Sequence, residues 1–141
     1  MECTVLQIFT HNPRQRAFSL VKKNDPIEFY KKRETLLIAG HSSYLNNFAY
    51  AHREVQNKSL TLFTQELEQA KLFSLPFLIL HPGSTSESDE KKAIALFTHM
   101  LDMAIETSGN RTTKVLHETT TGHKGSLGYR FRHLQDIIGL S

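Results

Sequence analysis

The chain has 141 residues, 39% hydrophobic and 22% charged, with a formal net charge of +3; that balance suits one ordinary domain and excludes a disordered or fibrous chain. No run approaches the ~18 uninterrupted apolar residues of a membrane span, and no charged-then-apolar leader marks a secretory signal. A single Cys3 cannot build a disulfide framework or a Cys-rich zinc site, so a reducing, cytoplasmic setting is expected.

Taken in chain order, Thr4–Phe9 (TVLQIF) predicts a strand, followed by a polar loop at Thr10–Arg16. The pair Asn24–Asp25 suits the cap of a helix opening at Pro26 (PIEFYKKRET), whose Lys31–Lys32–Arg33 cluster reads as a solvated helix end. Thr35–Ala39 predicts a second strand that ends in Gly40–His41. Over Val55–Phe73 the apolar residues recur near a 3.6 period, which predicts a helix. Leu75–Leu80 predicts a third strand, stopped by His81–Pro82–Gly83. Ser86–Ser88 can cap the next helix, which runs to about Glu106 with Ile94, Phe97, Leu101 and Ile105 on one face. Lys114–His117 predicts a fourth strand reaching Glu118, and a Thr/Gly loop follows to Gly128. Tyr129–Ile138 closes as a helix with Phe131, Leu134, Ile137 and Ile138 turned inward.

Four strand–loop–helix units imply an α/β fold with a parallel sheet and right-handed crossovers. The strands are short and nearly all apolar, as expected where both faces are buried. Charge is uneven: residues 1–53 hold eight Lys/Arg against four Asp/Glu, residues 54–110 four against eight, and residues 111–141 five against two. The basic ends permit a polyanionic partner without requiring one.

Eight histidines outnumber the seven glycines, and two of them stand in corresponding places. His41, His81 and Glu118 each fall at the carboxyl end of a predicted strand, 40 and 37 residues apart. Neighbouring parallel strands lie ~4.8 Å apart, so these side chains can face one centre, and two imidazoles with a carboxylate suit zinc. A lone histidine after a strand is more commonly a cap or a buried hydrogen-bonding group; recurrence in three consecutive units is what favours a metal. By period-2 alternation His117 faces away from Glu118, towards the helices. His52, His99 and His133 stand on loop or helix positions where packing or solvation is the default, and His123 lies in a loop over the same edge.

Two loops suit nucleic acid. THNPRQR places Arg14 and Arg16 just after the first strand, where arginine can hold phosphates. SSYL places Tyr44 and Leu45 just after His41, and such a pair can wedge between bases or simply begin packing the next element.

The segments LQIFTHNPRQ (Leu6–Gln15), HSSYLNN (His41–Asn47), LILHPGS (Leu78–Ser84) and HETTTGHKGSLGYRF (His117–Phe131) together resemble the endonuclease IV family, zinc-dependent AP endonucleases on the xylose-isomerase-like TIM barrel. The resemblance implies a partial, half TIM barrel over residues 1–141 as a single domain, lacking the family's first strand and last three βα units. It implies hydrolysis of the phosphodiester 5′ to abasic sites in double-stranded DNA during base-excision repair. His41, His81 and Glu118 match zinc ligands, Glu118 as the catalytic, metal-bridging carboxylate, and Arg14, Tyr44 and Leu45 match residues that enter the DNA. The family holds three zinc ions, and the ligands present here suffice for about one plus the bridge. Ser42 departs mildly from the pattern; Thr121, His123 and Lys124 depart further, a change that would either disturb how Glu118 is held or add charge near phosphate. Self-association or a companion polypeptide completing the barrel is therefore expected. Two further readings stay open: an inactive fragment keeping partial metal or DNA affinity, and a sugar isomerase or epimerase on the same barrel.

Overall fold

The computed structural model describes residues 4–20, 36–85 and 89–140. The expected helix at 26–35, its Asn24–Asp25 cap and the cap at Ser86–Ser88 lie outside these residues. Strands β1 (Val5–Phe9), β2 (Leu37–His41), β3 (Phe77–Leu80) and β4 (Lys114–His117) form one parallel sheet in the order β1-β2-β3-β4. Helices α1 (Arg53–Leu72), α2 (Glu90–Ser108) and α3 (Phe131–Leu140) alternate with them. Strand order equals chain order, the simplest outcome of repeated right-handed crossovers.

Strand boundaries shift for local reasons. β2 runs to His41, beyond the expected Ala39, because its pairing with β1 continues to Phe9 opposite His41. β3 starts at Phe77, two residues later than expected. Leu75 is still closing α1 through its N–H to the Ala70 carbonyl (2.9 Å), and Pro76 has no N–H for a ladder.

The core lies between the helices and one face of the sheet. Phe48 meets Phe63 edge-on at 5.6 Å and Phe97 at 5.9 Å, over Leu78 and Leu80. His117 sits on this face as its alternation requires, edge-on to Phe97 at 5.5 Å. Burial holds the His117 imidazole below its ordinary pKa, because desolvation penalises the charged ring, and its buried Nδ1 has no hydrogen-bond partner among the described residues. The opposite face is open: Val5, Leu37 and Leu116 are all exposed apolar residues. Among the described residues, no helix is long and apolar enough to cross a membrane.

The phase of α3 differs from expectation. Phe131 is 84% exposed and Ile138 65% exposed, whereas His133 and Ile137 are buried and Leu134 is half-buried. The ring of His133 fixes this phase by accepting the Gly128 N–H at Nδ1 (3.1 Å), which turns Phe131 outward. Apolar count alone could not reveal a histidine used as an inward anchor.

Asp89 caps α2, its Oδ1 accepting the N–H groups of Lys91 (3.1 Å) and Lys92 (3.2 Å), and Gly109 ends the helix in the left-handed region at φ 58°. Replacing Asp89 with Ala should lower the unfolding free energy by ~1 kcal/mol in a urea titration. An unchanged midpoint would show that the cap carries no stability.

Candidate metal centre

Parallel pairing delivers the carboxyl ends of all four strands to one rim, and register decides their depth. The β3–β4 ladder pairs Leu80 with His117 and carries on through the Glu118 N–H to the Leu80 carbonyl at 3.1 Å. Glu118 therefore stands level with His81. His41 pairs with Ile79, two residues short of His81, so it lies deeper in the sheet. Depth explains exposure: the side chain of His41 is 3% exposed, against 33% for His81 and 46% for Glu118.

The three side chains meet. Glu118 Oε2 is 3.0 Å from His41 Nε2 and 3.4 Å from His81 Nε2, and the two imidazole centroids are 5.2 Å apart. One ligand atom from each residue lies within 4.8 Å of the others, the one such group of His, Cys, Asp or Glu among the described residues.

The donor pattern fits a cation. His41 Nδ1 lies 2.7 Å from the Ser42 carbonyl, which can only accept, so Nδ1 carries the proton. In the neutral ring, Nε2 then presents a lone pair to the Glu118 carboxylate. Two lone pairs 3.0 Å apart repel unless a proton or a metal ion lies between them. An imidazole whose far nitrogen is held by a carbonyl is the usual outer support of a metal ligand. Two nitrogens and one oxygen suit zinc among the common divalent ions.

The rim loops are fastened to one another. Asn47 joins the loops after β2 and β3: its Oδ1 accepts the Ser84 N–H (3.1 Å) and its Nδ2 donates to Ser84 Oγ (3.2 Å). The loop after β4 is tied to that after β3 by Thr85 N–H to the Gly125 carbonyl (2.8 Å) and Leu127 N–H to the Gly83 carbonyl (2.9 Å). Gly125 has φ +81°, and a Cβ there would lie 2.4 Å from the Thr85 carbonyl oxygen, so no other residue permits this approach.

The two polar loops border the group. Tyr44 is 59% exposed, its ring 5.6 Å from that of His41 and 5.4 Å from that of Phe9; Leu45 is half-buried. Arg14 is exposed in a turn closed by Asn12 Oδ1, which accepts the Arg14 N–H at 3.0 Å. His52, His99 and His123 are exposed, and none of them joins the group of three. Sequence reasoning missed Glu66, buried in α1 beneath these loops with His11 on its Oε1 at 2.7 Å. The available signal was a glutamate four residues from both Leu62 and Ala70, on the apolar face of its helix.

Comparison with known proteins agrees with this architecture. A family profile described as a xylose isomerase-like TIM barrel matches residues 1–140. The chain is 35% identical over 142 residues to a probable endonuclease 4 of Citrifermentans bemidjiense, covering 96% of this chain and 49% of that protein. It is also 35% identical over 139 residues to a probable endonuclease 4 of Thermosipho melanesiensis, covering 94% and 48%. The solved endonuclease IV of Thermus thermophilus superposes with a TM-score of 0.81 at 25% identity, over 96% of this chain and 49% of that one. A D-tagatose 3-epimerase-like protein shares the fold at 18% identity, with a TM-score of 0.73, 98% of this chain and 52% of that one. The chain thus spans about half the length of the relatives it matches. With four parallel strands and three intervening or following helices among the described residues, a rim of histidine and carboxylate, and a profile matched almost end to end, the chain belongs to the xylose isomerase-like TIM barrel family.

Proposed function

We propose that this chain serves metal-dependent cleavage of double-stranded DNA at abasic sites, by hydrolysis of the phosphodiester 5′ to the lesion, in base-excision repair. The observation that carries the reading is the convergence of His41 Nε2 and His81 Nε2 on Glu118 Oε2, with the exposed Tyr44 ring 5.6 Å from that of His41. The relatives' name, endonuclease 4, supports it.

On this reading His41, His81 and Glu118 hold zinc. Bound there, zinc supplies Lewis-acid stabilisation of phosphate charge and activates water for attack. The Ser42 carbonyl keeps His41 in the tautomer that offers Nε2 to the centre. Glu118, the most exposed of the three, would on the same reading be the metal-bridging carboxylate that the family resemblance implies. Exposed Arg14 neutralises backbone phosphate. Tyr44 and Leu45 occupy the space beside the lesion, where the sugar is extruded at lower cost because no base pair must break. Val5, Leu37 and Leu116 are exposed apolar residues on the open face of the sheet, and on this reading self-association or a companion polypeptide covers that face and completes the barrel.

Zinc titration of the metal-free chain should give one tight site. His41→Ala or Glu118→Gln should weaken it at least about tenfold, the scale on which even outer-shell changes act. Unchanged affinity in both variants would remove these residues from the metal.

The function itself is tested on a duplex carrying one abasic site. Zinc-dependent, chelator-sensitive incision 5′ to the lesion supports cleavage by this chain. Zinc-dependent preference for that duplex without incision assigns it the partial role of holding the lesion and one ion. Equal affinity for abasic and intact duplexes overturns the proposal. Arg14→Ala should weaken binding and reduce the salt slope by about one.

A further inference from the structure

Glu66 lies one-hundredth exposed in the middle of α1, yet its carboxylate receives three hydrogen bonds from two different loops. His11 donates from Nε2 to Oε1 at 2.7 Å, the Ser43 N–H donates to Oε1 at 2.6 Å, and Asn46 Nδ2 donates to Oε2 at 2.7 Å. Each of these donors flanks a residue that the proposed function places on DNA. His11 stands three residues before Arg14, Ser43 precedes Tyr44, and Asn46 follows Leu45.

The same contact region contains a second tie. Ser43 Oγ donates to the Pro13 carbonyl at 2.6 Å and accepts the Leu45 N–H at 3.1 Å. The His11 ring is stacked on Phe18 at 3.9 Å with the planes 6° apart, which fixes the direction in which Nε2 points. A buried carboxylate is costly without partners and strongly held with three of them. All three contacts are accepted and none is donated, which matches the acceptor-only carboxylate.

We propose that Glu66 is a positioning residue: it locks the loop after β1 to the loop after β2, and so sets Arg14, Tyr44 and Leu45 relative to His41. Among the described residues, the hydrogen bonds of Glu66 go to His11, Ser43 and Asn46, and to none of the proposed metal ligands or DNA-contacting side chains. It acts through the backbone of Ser43 and the side chains of His11 and Asn46. The inference rests on the DNA reading for its consequence, and on the hydrogen bonds alone for the lock.

The test uses the full chain with two variants. Glu66→Gln keeps the volume but presents one NH2 group where only acceptors fit. His11→Phe keeps the stack on Phe18 and removes a single donor. Amide exchange across residues 10–16 and 42–47 should accelerate by about tenfold or more in Glu66→Gln, as expected for a lost charge-assisted bond. Affinity for the abasic duplex should fall by a similar factor of about ten, while zinc affinity stays unchanged. His11→Phe should show the same pattern at smaller size, and it decides the matter if Glu66→Gln does not fold. Unchanged exchange in both loops overturns the lock. Zinc and duplex affinity falling together by one factor overturns positioning in favour of a general scaffold role. If the unmodified chain shows no preference for the abasic duplex, the DNA reading fails, and joint loosening of the two loops still decides whether Glu66 locks them.

Discussion

The parallel register of β2, β3 and β4 is the constraint on which the site depends. Parallel strands send their carboxyl ends to one side, so a residue type repeated once per βα unit becomes a spatial cluster. Register then sets depth. Glu118 stands level with His81, and His41 two residues lower. One step of slippage would turn His41 to the opposite face of its strand, among the helices, and dissolve the group. The core of Phe48, Phe63, Phe97, Leu78 and Leu80 holds that register from one face.

Above the sheet the means of cohesion changes from apolar packing to hydrogen bonds. On the proposed function the rim meets a charged ligand, and a cover of aliphatic side chains would oppose that. Its loops are joined instead by Glu66, Ser43, Asn47 and the Gly125–Thr85 approach. A single link of this kind contributes only ~0.5–1.5 kcal/mol net, but a buried polar group left without its partner costs more. Such a network therefore favours one loop arrangement over its competitors, which is what a geometrically demanding site needs.

The sequence made the strands and the group of His41, His81 and Glu118 legible because both follow short rules. Apolar runs of five or six residues mark the first three strands and the shorter Lys114–His117 the fourth, and equal placement of His41, His81 and Glu118 marks the rim. Element ends were less legible. Whether β2 stops at Ala39 or His41 depends on pairing with β1, a contact distant in sequence. The inward face of α3 is legible at Leu134 and Ile137 but not at Phe131 and Ile138, because His133 is held inward by the backbone of Gly128 and histidine carries no apolar signal. Glu66 and His11 escaped notice for the same reason. A buried polar contact between residues 55 positions apart leaves only a polar side chain on an apolar face as its local trace.

The central claim is that these three residues form a metal centre. It is tested most directly by diffraction from crystals grown with zinc, using anomalous scattering recorded on both sides of the zinc absorption edge. An edge-dependent peak is expected between His41 Nε2, His81 Nε2 and the Glu118 carboxylate, at the ~2.0–2.2 Å distances of zinc to nitrogen and oxygen. A map with no peak there, or with zinc bound only at other side chains, would contradict it.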